Sequence, residues 1–300
     1  IHQTKKTVLT ITDVVFIIAP RINAAGRIKH GNYAVELLTE MDFETAIDFA
    51  ASIEIFNADR KELDKQITNE ALIQLIDNQE EERFTSVVFQ EDWHKGVIGI
   101  VASRLIEKYY RPTLVFTKSG DKLAASARSI KGFDVYNALE ACSEFIEQFG
   151  GHKYAAGLTL APENYENFKN KFEEVVKSTI DIELLTPEIS IDAVIDLSEI
   201  TPKFFRIIQQ MAPFGPMNMK PTFSSTCVRD NGYGKQVGAD KTHLKLNVFQ
   251  GDNQKTYNSI GFNLGSKMAL VKDQFDIVYA LDENEWNGVK SVQLLLKDLK

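Results

Sequence analysis

A long stretch without glycine or proline, residues 42–78, most constrains how this chain can fold. Its apolar residues recur mostly at steps of three and four, which is the period of an amphipathic α-helix. They are Phe43, Ile47, Ala50, Ala51, Ile53, Phe56, Leu63, Ile67, Ala71, Leu72 and Leu75. At 1.5 Å per residue the helix would be roughly 50 Å long, which exceeds the width of a small domain. We therefore expect one helix, or two nearly continuous ones, connecting two parts of the fold.

Strand and helix patterns alternate after this helix, up to about residue 184. We predict strands at 85–90, 113–117, 122–128 and 154–160, and helices at 96–110, 134–149 and 163–177. This order is typical of an α/β layer domain.

The pattern changes again in residues 187–300. After a short predicted helix, runs rich in β-branched and aromatic residues occur at 222–229, 243–250, 257–262, 275–281 and 289–296. Turn-forming pairs such as Asn231-Gly232 and Gln250-Gly251 separate several of them. Five short strands with such turns favour a small β-barrel of the OB-fold type. The predicted fold class is therefore α/β plus all-β, with a long connecting helix before the α/β domain.

The net charge of −8 by itself argues against a nucleic-acid-binding protein. The charge is uneven, however. Residues 36–82 contain three Lys or Arg against fourteen Asp or Glu, whereas residues 1–35 contain five against one and residues 187–300 contain thirteen against thirteen. One acidic segment sets the overall sign, so other surfaces remain free to contact phosphate.

Several features bound the setting and the chemistry of the chain. The two cysteines, Cys142 and Cys227, fit no metal-ligand spacing, which favours a reduced, cytoplasmic setting. No apolar run approaches the roughly 20 residues of a membrane helix, and the absence of an initial Met suggests a fragment of a longer protein. None of the five histidines is clustered with aspartates as a two-metal phosphodiesterase site requires.

Four short motifs combine glycine, arginine, histidine and small residues. They are Pro20–Arg27 (PRINAAGR), Trp93–Gly99 (WHKGVIG), Ser126–Ser129 (SARS) and Gly150–Gly157 (GGHKYAAG). Arg and Ser side chains at a strand end can hold one phosphate, and glycines let the main chain approach a ligand closely. Solvated arginines, a buried tryptophan and a capping histidine are the structural alternatives. Spacing alone favours the structural interpretation for the second motif and leaves the others open.

Taken in order, these motifs resemble the successive signatures of the RecJ family, which are single-strand-specific 5′-exonucleases of the DHH phosphoesterase superfamily. The last part of the chain agrees at Ala212–Pro216, His243–Leu246 and Asn284–Gly288. One local departure is Met217-Asn218-Met219, where the family usually has Gly-Asn-Pro. The resemblance covers nearly the whole chain.

The resemblance implies four segments: residues 1–41 as the tail of a DHH domain, 42–80 as the connecting helix, 81–184 as the DHH-associated domain and 187–300 as the OB-like barrel. It implies that Mn²⁺ or Mg²⁺ is bound in a DHH domain preceding residue 1. It also implies 5′-to-3′ hydrolysis of single-stranded DNA in repair and recombination. Single-stranded DNA would be the partner, and repair or single-strand-binding proteins would be further candidates.

The resemblance also assigns roles to individual residues. The motifs and the resemblance together predict Asn23, Arg27, Ser126, Arg128, Ser129, Gly150, Gly151 and His152 as substrate-binding residues. The clustering of basic residues on and beside one predicted barrel strand adds Lys241, His243 and Lys245, with the alternative that these lysines only keep the domain soluble. Arg128 and His152 would hold the phosphates beside the scissile bond, and Arg27 with Asn23 would line the passage that admits one strand. In the barrel, alternation places His243, Lys245 and Asn247 on the outer face of their strand.

Two other functions remain open at this point. The chain could come from a RecJ relative with a degenerate catalytic domain, which only holds single-stranded DNA or a protein. It could also come from a different DHH phosphodiesterase that acts on short oligonucleotides or cyclic dinucleotides. The barrel argues against the last function, because such small substrates need no domain that guides a strand.

Overall fold

A computed structural model describes residues 9–215, 217–252, 255–286 and 288–300. Residues 1–8, Pro216 and Asn287, which belong to predicted segments and motifs, lie outside the described residues. The chain divides into two compact units, Ile1–Pro187 and Glu188–Lys300.

The first unit is built on one five-stranded sheet. Its helices are α1 (Ile11–Asp13), α2 (Ala19–Ile28), α3 (Asn32–Thr39), α4 (Phe43–Asp77), α5 (Ile98–Tyr109), α6 (Val135–Glu140) and α7 (Tyr165–Thr179), with a π-helical turn at Val14–Ile18. Its strands are β1 (Ser86–Phe89), β2 (Thr113–Ser119), β3 (Lys122–Arg128), β4 (Gln148–His152) and β5 (Ala155–Leu160). The strand order is β1–β2–β3–β5–β4, in which only β1 and β2 are parallel neighbours. None of the described helices has the length and apolarity of a membrane span.

The long helix α4 confirms the helix predicted from the uninterrupted apolar period. Asp42 caps its first turn, because its carboxylate accepts a hydrogen bond from the Thr45 amide at 2.8 Å. One stripe of the helix is buried, at Ile53, Asn57, Asp64, Ile67, Ala71 and Leu75. Phe43 and Ile47 in its first turns are exposed, so the stripe becomes a buried face only further along the helix.

The turn after α4 is fastened to the sheet by Arg111. Its guanidinium donates hydrogen bonds to the main-chain oxygens of Glu80, Glu81 and Arg83 at 2.6–2.9 Å. Its Nε donates to Ser86 Oγ at 2.8 Å. Burial lowers the pKa of Arg111 from its ordinary value. These bonds fix the carboxyl-terminal end of the long helix beside β1.

Two apolar layers enclose most of the sheet. On one face, Phe168 and Phe172 of α7 are fully buried in a cluster that includes α6 and the inward residues of β3 and β5. On the other face, α4 and α5 cover β1 and β2 around Val88 and Val115. Several of the outward residues of β3, β5 and β4 on this second face are small, among them Ala124, Gly157 and Gly150, and that surface forms the candidate site described below.

The structure corrects the helix predicted over residues 134–149. Helix α6 ends at Glu140, a 3-10 turn follows at Ser143–Phe145, and β4 begins at Gln148. The apolar residues of this stretch do have helical spacing. However, the end of the stretch pairs with β5 at the sheet edge, which satisfies its main-chain groups, and the glycine pair that follows disfavours a helix.

The second unit is mainly β-structure and confirms the all-β part of the predicted fold class. Its elements are α8 (Pro202–Gln210), β6 (Ala193–Val194), β7 (Thr222–Asp230), β8 (Lys235–Val237), β9 (His243–Gln250), β10 (Tyr257–Gly261), β11 (Phe275–Trp286) and β12 (Val289–Leu299). Because β7 pairs with both β11 and β9, the strands β7, β9, β10, β12 and β11 are linked in a ring, as in an OB-fold-like domain. The short strand β8 was not predicted.

The alternation predicted for β9 is confirmed. Leu244, Leu246 and Val248 are buried in the apolar core of the second unit, and the residues between them lie on its outer surface. Polar side chains of β9 are therefore presented beside those of its neighbours β8 and β10.

Candidate nucleic-acid interface

Three of the four motifs meet at the amino-terminal end of α5. A Cβ added at Gly96 would lie 2.1 Å from the carbonyl oxygen of Arg27, and Arg27 Nη1 donates to the Gly96 carbonyl oxygen at 3.1 Å. A Cβ added at Gly99 would lie 2.9 Å from both Nη2 of Arg128 and Oγ of Ser126. Glycine at both positions therefore allows α2, α5 and β3 to approach this closely.

Arg27 and Arg128 bring two positive charges to this place. Arg128 Nη1 donates to Ser126 Oγ at 3.0 Å and to the Ala127 carbonyl oxygen at 2.8 Å. Burial, followed by the nearby charge of Arg27, lowers the pKa of Arg128 from its ordinary value. Neither arginine forms an ion pair with a carboxylate in the described part of the chain. Two half-buried guanidinium groups without a counter-ion form a favourable site for a phosphate.

The fourth motif lies on the strands next to β3. Strand pairing sets up two rows across the sheet, Arg128–Ala155–His152 and Ser126–Gly157–Gly150. Residues in one such row point to the same face of a sheet. Because neighbouring strands are about 4.8 Å apart, the main chains of Arg128 and His152 are separated by about 10 Å. The sheet thus presents both predicted phosphate-binding residues on one surface.

The exposed ring of His152 is oriented by the hairpin that joins β4 to β5. Its Nδ1 accepts a hydrogen bond from the Tyr154 amide at 3.3 Å, so Nε2 is the nitrogen that carries the proton and can donate to a ligand. Gly151 has a φ of +152°, and an added Cβ would lie 2.4 Å from the Ala155 carbonyl oxygen. The glycine before His152 is therefore required by the local backbone.

Ser129 supports the hairpin from the end of β3. Its hydroxyl donates to the Phe133 carbonyl oxygen and its amide donates to the Tyr154 carbonyl oxygen, both at 3.0 Å. These bonds hold the hairpin loop beside Arg128. Within this geometry Ser126 contacts the guanidinium directly, whereas Ser129 positions the chain around it.

Small outward residues leave a groove on the same face of the sheet. The groove has a volume of about 270 Å³. It is lined on this face by Lys95, Ala124, Gln148, Gly150, Gly157 and Thr159. A Cβ added at Gly150 would meet no atom within 4 Å, so the glycine leaves open space for a ligand. The groove can accept an extended chain next to the Arg128 row.

The first motif lies inside α2, and its two arginines have different roles. Asn23 and Arg27 are four residues apart and share one face of the helix, where Asn23 is exposed. Arg21 instead forms a bidentate ion pair with Glu54 of α4, at 2.5 and 2.8 Å, which lowers the pKa of that carboxyl group. Arg27 is therefore available to a ligand, and Arg21 joins the two helices.

The second motif contains structural side chains as well as close-packing glycines. Trp93 is buried in the core, and its Nε1 donates to Glu70 at 2.7 Å. His94 Nδ1 accepts a hydrogen bond from the Gly96 amide at 3.1 Å. The structural interpretation therefore holds for this tryptophan and histidine.

Helix α4 adds charged residues near Arg27 that sequence patterns did not single out. Asp64 is buried between Arg60, at 3.9 Å, and Arg104, at 3.8 Å. Burial lowers the pKa of Arg60, and the charges of Arg27 and Arg104 lower it further. Sequence patterns did not indicate Arg60, because it lies in the acidic segment of residues 36–82. The four-residue step from Arg60 to Asp64 indicates an ion pair but not its proximity to the first motif.

In the second unit, the three predicted barrel residues have different surroundings. Lys241 has a φ of +53° and lies in the turn before β9. His243 Nδ1 accepts a hydrogen bond from the Asn263 amide at 3.1 Å, and its ring packs edge-on against Phe262 at 5.2 Å. Lys245 lines a groove on the outer surface of the second unit. Of the three side chains, that of Lys245 borders this groove.

The described residues contain no group of three or more His, Cys, Asp or Glu side chains arranged to hold a metal ion. The candidate site of this chain is one of cations, hydroxyls and small residues.

Comparison with known proteins identifies the family. The family model of the DHHA1 domain matches residues 81–178, and that of the RecJ OB domain matches residues 191–298. The chain is 34% identical over 288 residues to the single-stranded-DNA-specific exonuclease RecJ of Bacillus subtilis, covering 94% of this chain and 36% of that protein. The chain belongs to the RecJ family.

Other RecJ proteins agree with this assignment, which confirms the resemblance found in the motifs. The single-stranded-DNA-specific exonuclease RecJ of Escherichia coli is 31% identical over 307 residues, covering 97% of this chain and 52% of that protein. The crystal structure of RecJ in complex with Mn²⁺ from Thermus thermophilus has a TM-score of 0.80 at 26% identity, covering 96% of this chain and 41% of that chain. The chain thus spans between about a third and about half of the length of these RecJ proteins.

Proposed function

We propose that this chain is the DNA-holding part of a RecJ-type exonuclease, which removes nucleotides 5′-to-3′ from single-stranded DNA in repair and recombination. The observation that carries the proposal is the meeting of Arg27 and Arg128, without a carboxylate partner among the described residues, beside a groove lined by small residues. The names of the relatives support it, since they are single-stranded-DNA-specific exonucleases.

In this proposal the chain binds and orients the strand. Arg128 and the Nε2–H of His152 donate to phosphates from one row of the sheet, and Ser126 holds the guanidinium in place. Gly150 leaves space for the strand above the sheet, and Gly151 allows the close approach of the main chains in the hairpin between β4 and β5. Ser129 holds that hairpin through its main-chain amide. On α2, Arg27 with Asn23 lines the passage of the strand.

The barrel residues Lys241, His243 and Lys245 guide the strand in this proposal. Single-stranded DNA is then the partner, and repair or single-strand-binding proteins are further candidates.

The catalytic ion belongs to a part of the protein that these residues do not form. Crystal structures of RecJ contain Mn²⁺ or Mg²⁺, and such ions activate water for attack on a phosphodiester. We therefore assign hydrolysis to a DHH domain, with residues 1–41 as its tail, 42–80 as the connecting helix, 81–184 as the DHH-associated domain and 187–300 as the strand-guiding barrel. The match of the RecJ OB domain favours this function over that of a phosphodiesterase for short oligonucleotides. Both cysteines are free, which fits a cytoplasmic setting.

The proposal is tested by titrating the 300-residue chain against labelled single-stranded and duplex DNA of equal length. We expect single strands to bind better, and Arg128→Ala to weaken their binding about 10-fold or more through the loss of charge-assisted hydrogen bonds. Arg206→Ala, which removes the same charge from an exposed position of α8, serves as the control. Equal affinity for duplex and single strands, or equal losses in the two variants, would contradict the proposal.

A further inference from the structure

A groove lies on the outer surface of the second unit, over β8, β9 and β10. Its volume is about 270 Å³. It is lined by Tyr233, Lys235, Lys245, Leu246, Asn247 and Asn258. Two cations, two amides and one aromatic ring in a space of this size match the chemical parts of a single nucleotide.

The two lysines face each other across neighbouring strands. Lys235 of β8 is the direct antiparallel partner of Lys245 of β9. Side chains in such positions have Cβ atoms about 4.5–5.5 Å apart, and like charges there destabilise the sheet. Both lysines are exposed, and neither forms an ion pair with a carboxylate among the residues that the structure describes. An anion between the two ammonium groups would remove this repulsion.

The next row of the sheet holds a pair of amides. Asn247 and Asn258 are direct partners on β9 and β10, and Asn247 Nδ2 donates to Asn258 Oδ1 at 3.3 Å. This bond leaves Asn247 Oδ1 as an acceptor and Asn258 Nδ2 as a donor. Asn247 Oδ1 is buried and lacks a hydrogen-bond partner in the described structure, which is a costly state for an acceptor. Once a rotation of the Asn247 side chain brings Oδ1 to the surface of the groove, a base edge with an amine beside a ring nitrogen, such as N6 and N7 of adenine, would satisfy both groups.

Tyr233 provides an aromatic surface at the edge of the groove. Its exposed fraction is 72%, and its ring has no aromatic or cation contact among the described residues. The loop that carries it is held by Asp230, whose carboxylate accepts hydrogen bonds from the amides of Gly232, Gly234 and Asn247 at 2.7–2.9 Å. The ring is therefore presented from a fixed loop, so that less conformational freedom is lost when a base stacks on it.

We propose that this groove binds one nucleotide of a single strand, with the base stacked on Tyr233 and its phosphate between Lys235 and Lys245. The amides of Asn247 and Asn258 contact the edge of the base. The proposal rests on the proposed function of holding single-stranded DNA, and it adds a defined subsite on the barrel. The aromatic ring and the amides distinguish this site from a simple anion site, which would need only the lysines.

An abasic strand separates the two kinds of contact, because it keeps the phosphates and lacks the bases. The 300-residue chain is titrated with a labelled single strand of about 20 nucleotides and with an abasic strand of equal length. We expect Tyr233→Ala to weaken binding of the normal strand about 5- to 150-fold and to leave binding of the abasic strand unchanged. Tyr233→Phe, which keeps the stacking surface, should bind both strands like the unmodified chain.

The lysine pair should affect both strands. Replacing Lys235 and Lys245 together by Gln should weaken both complexes and reduce the slope of log affinity against log salt by about 1.4, or about 0.7 for each phosphate contact. Lys203→Gln with Lys272→Gln makes the same change of charge at two exposed positions elsewhere in this unit and should leave the slope unchanged. An equal change in slope for this control pair would overturn the subsite.

The stacking result also distinguishes failure of the subsite from failure of the proposed function. If the unmodified chain prefers single strands and Arg128→Ala weakens their binding, but Tyr233→Ala has no effect, only the subsite is wrong. An equal loss on normal and abasic strands in Tyr233→Ala would likewise overturn stacking. If the unmodified chain binds single strands no better than duplex, the proposed function fails and the subsite fails with it.

Discussion

The close contact between Gly99 and Arg128 allows the proposed phosphate site to be perturbed without removing any of its groups. In Gly99→Ala, the new methyl group would lie 2.9 Å from Nη2 of Arg128 and from Oγ of Ser126. Favourable contacts begin at about 3.5 Å, so the guanidinium and the Ser126 hydroxyl that binds it must each move by roughly 0.6 Å or more. Because Nη2 is at the far end of a flexible side chain, this movement costs little folding free energy.

The expected effect on binding is much larger than the effect on stability. A charge-assisted hydrogen bond contributes about 1.5–3 kcal/mol, so displacement of the guanidinium should weaken single-strand binding about 10- to 150-fold. Alanine is preferred over glycine in a helix by up to about 1 kcal/mol, which offsets part of the cost of the contact near the start of α5. We therefore expect the Tm to change by no more than about 4 °C.

The assay combines fluorescence anisotropy with labelled single-stranded DNA and thermal unfolding of the same samples. Gly31→Ala is the matched control, because Gly31 has a φ of −59° and an added Cβ there meets no atom within 4 Å. A double-mutant cycle then identifies the cause. In the background of Arg128→Ala, Gly99→Ala should produce no further loss, since both changes act through the same guanidinium.

Two results would refute this reasoning. One is a folded Gly99→Ala variant that binds single strands as tightly as the unmodified chain. The other is a loss of similar size with and without Arg128, which would mean that Gly99 acts on binding through some other contact.

Three further predictions concern stability and reactivity. Lys169→Met should destabilise the first unit by about 3 kcal/mol, because it leaves Glu80 buried without the ammonium group that now lies 2.6 Å away. Lys171→Met, at a more exposed ion pair, should cost less than about 1 kcal/mol. Chemical denaturation measures both. Burial raises the pKa of Cys142 to about 12. At pH 8 a thiol reagent should therefore modify only the exposed Cys227 in the folded chain, and both cysteines after denaturation. Rapid modification of Cys142 in the folded chain would contradict this. Arg111→Lys should speed hydrogen exchange around β1, since an ammonium cannot bond all of the oxygens that the guanidinium reaches; unchanged exchange would show that the turn after α4 is held by other contacts.

Most of the fold could be predicted because its local signals agree with its tertiary contacts. The period of α4, the alternation of β9 and the strand Lys122–Arg128 were all visible in the sequence. The end of the helix predicted over 134–149 was not, because β4 is stabilised by pairing with β5 rather than by its own sequence. The short strand β8 was also missed, because three residues carry too little periodicity to indicate a strand.

The sequence predicted which residues belong to the candidate site better than it predicted which of them lie close together. The motifs indicated Arg27 and Arg128, but nothing in their spacing showed that Gly96 and Gly99 bring them together. Family resemblance supplied the roles, and the strand register supplied the arrangement. Tyr233 had no signal at all, because an exposed aromatic after a turn becomes informative only when its neighbours in space are known.

The row formed by Arg128, Ala155 and His152 has a consequence for how such a site survives sequence change. The separation of its two outer members is set by main-chain hydrogen bonds between three strands, so it does not depend on which side chains pack behind them. Proteins of this family that share only about a third of their residues can therefore keep the same main-chain spacing between these two positions. The sensitive position is the middle one. A larger side chain in place of Ala155 would fill the gap between the two groups while leaving the sheet, and the distance across it, unchanged.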